Sequence, residues 1–139
     1  MEYKRYGDAY AVRFDRGEEV LSSLLALCET ERISLASVSA LGAVDQAVLG
    51  VYDLVSGVYE KRSIDAFCEI GSLVGSVTQM DGKPYLHLHA VLCGQNGLVA
   101  GGHAIELRVG ATCELFLHLL SGTLERKKDA ETGLNLFAF

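Results

Sequence analysis

The feature that most constrains the fold is an apolar run, Tyr85 to Cys93, in which histidines alternate with hydrophobic residues. This alternation predicts a β-strand with one buried face, because successive side chains of a strand point to opposite sides of its sheet. His87 and His89 are two residues apart, so their imidazoles would share one face at a separation of about 6 to 7 Å. Two imidazoles placed in this way can hold one metal ion.

A third histidine, His103, follows two glycines after a short polar segment. The segment Gln95-Asn96-Gly97 predicts a reversal of the chain that would return His103 alongside the first two histidines. Three neutral imidazoles would then converge, and this donor set suits zinc, iron, nickel or copper. Spacing alone leaves an alternative open, in which the histidines are structural and only form hydrogen bonds to backbone carbonyls.

The other ionisable and sulfur-bearing residues are weaker ligand candidates. His118 shares a strand face with Glu114, and we expect this histidine to be structural. Cys93 has the parity of His89, but the extended chain would place it about 13 Å beyond that residue, too far for one mononuclear site. The four cysteines are scattered and form no Cys-x-x-Cys motif, so the sequence predicts reduced cysteines in the core.

Length and composition favour one strand-rich domain over residues 1–139. Half of the 139 residues are hydrophobic, which is enough for one sizeable core, and fifteen glycines with a single proline indicate many turns between strands. No apolar stretch reaches the roughly 18 to 20 residues that span a bilayer, and the amino terminus lacks the apolar core of a signal peptide. We therefore expect a cytoplasmic protein without a membrane segment.

The charge balance argues against direct binding to nucleic acid. The formal net charge is −6 and the calculated pI is about 5.1, whereas affinity for a phosphate backbone comes mainly from clustered lysines and arginines. The basic triplet Arg126-Lys127-Lys128 is followed at once by Asp129, so we interpret it as a solvated turn or strand end.

Periodicity places one helix early in the chain and predicts strands in the remainder. Asp15 is the expected N-cap of the helix, whose apolar stripe is Val20, Leu21, Leu24, Leu27 and Cys28. Two strands are predicted on either side of a turn at Asp45-Gln46, and two more over Leu98 to Val109 and Thr112 to Ser121. The apolar terminus, Leu134 to Phe139, should be buried either against its own sheet or between subunits.

Several short motifs together resemble those of the plants-and-prokaryotes conserved domain, or PPC domain. The most specific part is the pairing of His-x-His-Ala with Gly-Gly-His at this separation, and the resemblance covers nearly the whole chain. The motifs are Gly17-Glu18-Glu19, Leu41-Gly42-Ala43-Val44, Glu69-Ile70 with Gly75, His87-Leu88-His89-Ala90, Gly101-Gly102-His103 and Thr112-Cys113-Glu114-Leu115.

The resemblance implies an α+β fold, with a mainly antiparallel β-sheet packed against a flanking α-helix, assembled as a homotrimer. It also implies a metal site at His87, His89 and His103, with zinc as the leading metal. In plants this domain accompanies AT-hook motifs, and bacterial relatives are labelled DNA-binding. This chain contains no Arg-Gly-Arg core of an AT-hook. The partners that the resemblance favours are therefore other copies of this chain and other proteins.

The resulting hypothesis is a metal-binding, self-associating domain with a regulatory or uncharacterised role. The alternative is a metal-dependent enzyme acting on a small molecule, because three protein ligands leave a coordination position open for water or substrate. In that case Glu114 is the candidate general base. The sequence leaves open whether the three-histidine site lies within one subunit or between two.

Overall fold

A computed structural model describes the backbone of residues 1–139 and every side chain except that of residue 96. It contains one helix and nine strands, and a 3₁₀ turn over Gln95–Gly97 joins two of the strands. The elements are β1 Glu2–Tyr6, β2 Ala9–Asp15, α1 Val20–Thr30, β3 Ala36–Asp53, β4 Val58–Ile64, β5 Cys68–Met80, β6 Lys83–Gly94, β7 Val99–Leu119, β8 Glu125–Lys128 and β9 Asn135–Ala138.

The helix begins later than the sequence predicts, and its N-cap is Glu19. The Glu19 carboxylate accepts hydrogen bonds from the backbone N–H groups of Leu21 and Ser22. The prediction of Asp15 as N-cap is wrong because the chain stays bound to β7 beyond that residue: Gly17 N–H donates to the Val109 carbonyl oxygen, and Val109 N–H donates to the Glu18 carbonyl oxygen. The predicted apolar stripe does face the core, where Val20, Leu24, Leu27 and Cys28 are all buried.

Four long strands form a closed circuit at the centre of the molecule. Strand β3 pairs with β5 and β7, and β6 pairs with the same two strands, all in antiparallel orientation. Strands β1 and β2 extend the sheet from β7, while β4 pairs with β3. The expected single domain with a mainly antiparallel sheet and one flanking helix is therefore confirmed.

Strands β3 and β7 are each continuous where the sequence predicts a break. The predicted turn at Asp45-Gln46 is wrong, because β3 passes through it with shifts of register against β7. Gly42 lies at an irregularity of β3, with a φ of 146° and a shift of register against β5. A Cβ at Gly42 would lie 2.3 Å from the Thr112 carbonyl oxygen, so the two strands bend past each other at very close range.

The apolar carboxyl terminus is only partly buried against its own sheet. Strand β9 pairs only with the short β8 among the described strands, Phe137 packs over the Arg126 guanidinium at 4.4 Å, and Leu136 and Phe137 are each 43% exposed. Phe139 is fully exposed, so the sheet does not cover the whole segment, and burial between subunits stays a prediction. No helix among the described residues has the length and apolarity needed to cross a bilayer.

Candidate metal centre

Strand β6 presents two histidines on the face opposite the core. Leu88, Ala90 and Leu92 are almost completely buried, and His87 and His89 alternate with them. The predicted strand and the shared face of the two imidazoles are therefore confirmed, and the burial of the alternate side chains explains why the register cannot slip by one residue.

The reversal after β6 brings His103 to the first two histidines. Antiparallel pairing of β6 with β7 sets His89 directly opposite His103. The centroids of the three imidazole rings are 5.2 to 5.6 Å apart. One nitrogen of each ring lies within 4.8 Å of the others, and no carboxylate or thiol joins this group among the described side chains.

The geometry of the group fits a tetrahedral metal ion. The Nε2 atoms of His87 and His89 are 3.3 Å apart. Zinc–nitrogen bonds of about 2.0 to 2.1 Å at the tetrahedral angle separate two ligand nitrogens by about 3.3 to 3.4 Å. In addition, Nδ1 of His103 is buried and has no hydrogen-bond partner, a condition that native structures rarely leave uncompensated.

Packing behind His103 fixes the position of its ring. The imidazole stacks on Tyr59 of β4, with ring centroids 4.9 Å apart. Gly50 of β3 pairs with His103 of β7, and a Cβ at Gly50 would lie 2.9 Å from the Tyr59 ring. A Cβ at Gly102 would lie 2.7 Å from the Gly50 carbonyl oxygen, so the close approach of the two backbones requires glycine here.

Burial keeps two of the imidazoles in the neutral form that binds metals. Desolvation, followed by the nearby His87 and His89, lowers the pKa of His103 to about 4. The pKa of His87 is also lowered, chiefly by burial and then by the positive charge of Arg126 and by His89. Near neutral pH both rings therefore offer lone pairs without first losing a proton.

A pocket of about 340 Å³ opens beside the three histidines. Tyr59, Tyr85, Arg126 and Asn135 contribute to its wall. The interpretation of the basic triplet as a solvated turn or strand end is wrong for Arg126, which is buried while its neighbours in β8 are exposed. No sequence pattern marks this burial, because all four residues of β8 are charged.

The remaining sequence candidates lie elsewhere. Glu114 is exposed near the far end of β7, beside Tyr3 and Arg13 on the wall of a different cavity, and the chain does not bring it to the histidines. His118 is exposed and its ring stacks on Phe116 at a centroid distance of 6.1 Å. Cys93 is an exposed residue outside the histidine group.

Solved structures from bacteria and archaea share this fold over almost their full length. A "putative DNA binding protein" from Bacteroides thetaiotaomicron has a TM-score of 0.96 at 25% identity, covering 99% of this chain and 96% of its own. The metal-containing protein AF0104 from Archaeoglobus fulgidus has a TM-score of 0.90 at 37% identity, with coverage of 99% and 97%. A plant- and prokaryote-conserved (PPC) protein from Pyrococcus horikoshii has a TM-score of 0.87 at 28% identity, with coverage of 99% and 94%.

The family comparison agrees with the sequence resemblance. None of the functionally curated proteins matches the chain significantly. The family model of the Plants and Prokaryotes Conserved (PCC) domain matches residues 1–121, which include β1 to β7 and all three clustered histidines. This chain therefore belongs to the Plants and Prokaryotes Conserved domain family.

Proposed function

We propose that the protein is a metal-binding, self-associating domain in which His87, His89 and His103 hold one divalent ion. The observation that carries the proposal is the convergence of one nitrogen from each ring within 4.8 Å. A purely structural role for the histidines does not account for the unpaired buried Nδ1 of His103. The metal content named for the Archaeoglobus relative, at 37% identity, supports the same assignment.

Zinc is the leading candidate for the ion. It is bound readily by neutral imidazole, and the 3.3 Å separation of the His87 and His89 Nε2 atoms matches one edge of its tetrahedron. Iron, nickel and copper also accept imidazole ligands, so the identity of the ion is a question for elemental analysis.

Self-association, with a homotrimer as the proposed state, is supported by exposed apolar side chains. Val51 and Val99 are more than 60% exposed, Phe116 is 51% exposed, and Val55 and Phe139 are almost completely exposed. Large exposed apolar patches mark surfaces that another chain covers, and these side chains would contribute to such a surface. Sedimentation equilibrium should give the mass of three chains, and a monomer mass at micromolar concentration would contradict this part of the proposal.

The decisive experiment measures bound metal per chain in protein purified without a metal-affinity column. Wild type is compared with His87→Ala and His103→Ala, and with His118→Ala as a matched control outside the cluster. We expect about one ion per chain in wild type and in the control, and loss of the ion in both cluster variants. Wild-type protein that stays metal-free after addition of zinc would overturn the proposal.

A metal-dependent enzyme acting on a small molecule is the second candidate, and the pocket beside the cluster favours it. Three protein ligands leave a coordination position for water or substrate, as in catalytic zinc sites. The pocket of about 340 Å³ has the volume of a small-molecule site. Turnover of any substrate by the metal-loaded protein, lost in His103→Ala, is the test of this candidate.

Direct DNA binding is not proposed for this chain. The description of the Bacteroides relative as a DNA-binding protein applies to that protein, and the net charge of −6 here opposes binding to phosphate. Fluorescence anisotropy with duplex DNA at low salt should show no binding that weakens steeply as salt is added.

A further inference from the structure

Arg126 is a buried cation in the wall of the pocket beside the histidines. The residue is 7% exposed, and no acidic side chain among the described residues forms an ion pair with it. Burial of a guanidinium is costly unless a counter-charge or a full set of hydrogen bonds compensates it. The free protein supplies neither completely, although the Phe137 and Tyr85 rings, with centroids 4.4 and 5.1 Å from the guanidinium carbon, add cation–π attraction.

The hydrogen bonds of Arg126 place its guanidinium next to the histidine cluster. Nε donates to Thr78 Oγ1 at 2.8 Å, and Nη2 donates to Ser76 Oγ at 3.4 Å. Ser76 is paired with His87 across β5 and β6, and Thr78 is paired with Tyr85. The guanidinium therefore lies on the sheet face that carries His87, near the start of β6. It also lies over the Tyr85 ring, 5.1 Å from the ring centroid.

Two N–H groups of Arg126 have no acceptor among the described atoms. A guanidinium has five N–H donors. Three are used here: those to Thr78 and Ser76, and one on Nη1 that donates to the Asn135 carbonyl oxygen at 2.7 Å. One N–H on each terminal nitrogen is left. Two such donors match an acceptor with two oxygens, as in the paired hydrogen bonds that arginine makes to carboxylate and phosphate groups.

We propose that the pocket beside His87, His89 and His103 binds a small oxyanion, a carboxylate or phosphate group, and that Arg126 is the residue that receives it. This inference deepens the proposed function and rests on it in one respect, since a metal on the histidines would supply the second anchor of the same ligand. The aromatic wall, Tyr59 and Tyr85, limits the ligand to a small molecule.

The test is isothermal titration calorimetry on the full chain, metal-loaded and metal-free, in a buffer without carboxylate or phosphate. Malonate and inorganic phosphate are the two anion probes, and neutral malonamide is the matched control for malonate. Arg126→Gln removes the cation, and Lys127→Gln removes an exposed charge from the same strand. Bound metal is measured in each sample.

We expect malonate or phosphate to bind and malonamide to bind at least tenfold more weakly. Arg126→Gln should weaken anion binding by about ten- to a hundredfold, whereas Lys127→Gln should leave it within about twofold. If malonate binds and phosphate does not, the ligand is a carboxylate; the reverse result assigns a phosphate. Because Arg126 also holds Asn135, the Arg126 Nε–H resonance of wild type provides a second readout, which should shift with malonate and not with malonamide.

The outcomes separate this inference from the proposed function. Protein that holds metal but binds neither anion overturns the inference and leaves the metal site intact. Anion binding of equal strength in wild type and Arg126→Gln also overturns it, because the metal alone would then be the receptor. Wild-type protein that takes up no metal when zinc is supplied, but still binds an anion through Arg126, supports the inference while the proposed function fails.

Discussion

Gly75 on β5 faces His87 on β6 so closely that a Cβ at Gly75 would lie 1.9 Å from the His87 carbonyl oxygen. No rotamer change can relieve this contact, because the backbone of β5 fixes the Cβ position and the carbonyl oxygen belongs to the backbone of β6. The strand that carries two of the three candidate ligands therefore keeps its position only if residue 75 has no side chain.

Replacement of this glycine should damage both the fold and the site. We expect Gly75→Ala to lower the free energy of unfolding by about 1 to 3 kcal/mol and to weaken metal binding, because β6 must move away from β5. The control is Gly101→Ala, whose added Cβ meets its nearest neighbour at an ordinary 3.5 Å. Urea unfolding measures both variants, and equal stability of the two would contradict the steric argument.

Metal should stabilise the folded chain through the histidine cluster. A ligand present at a hundred times its Kd adds about 2.7 kcal/mol to the free energy of unfolding, which corresponds to a rise in Tm of roughly 5 to 10 °C. We expect differential scanning calorimetry with zinc to show this rise in wild type and in His118→Ala, and to show little of it in His89→Ala. A full rise in His89→Ala would mean that zinc binds elsewhere.

Acid should destabilise the metal-free protein partly through His103. Its folded-state pKa is about 4, below the ordinary value of 6.5, so the unfolded chain binds the proton more readily. This contribution to stability is present above pH 6.5 and is lost as the pH falls towards 4. Urea midpoints measured in chelator should fall less steeply over this range in His103→Asn than in wild type.

Carboxylates provide a background in that experiment that both proteins share. The pKa of Asp45, for example, is lowered from its ordinary value of 3.8, chiefly by its hydrogen bond to Arg108, so its contribution to stability is lost only at the acid end of the range and below it. The difference between wild type and His103→Asn isolates the imidazole. Identical pH profiles of the two proteins would contradict a depressed pKa at His103.

Glu114 should be dispensable for metal binding. The side chain is exposed and lines a cavity that none of the three histidines reaches. We expect Glu114→Gln to retain wild-type metal stoichiometry and to change the free energy of unfolding by no more than about 0.5 kcal/mol. Loss of metal in this variant would show that Glu114 acts at the site through a contact with another chain.

The histidine cluster could be predicted because it depends on local rules. Two residues of separation fix the shared face of His87 and His89, and the turn at Gln95–Gly97 fixes the antiparallel return of His103. These relationships involve one strand and one reversal. The sequence did not need to specify how β6 pairs with β5 on its other side.

The missed features depend on contacts between distant segments. Asp45-Gln46 has the composition of a turn, and only the passage of β7 along β3 shows that the chain continues there as an irregular strand. The burial of Arg126 also depends on distant segments, because its guanidinium is held by Thr78 and Asn135, which belong to other strands. No local pattern marks Arg126 as inward-facing, because every residue of β8 is charged.

The three histidines all belong to one hairpin, formed by β6 and β7. A metal ion there would cross-link segments that are already close along the chain, so it would remove little loop entropy from the unfolded state. The long-range pairing of β3 with β7 does not depend on that cross-link. Metal loss should therefore leave a folded apoprotein that can be reloaded, so that ion occupancy can vary with metal supply without rebuilding the fold.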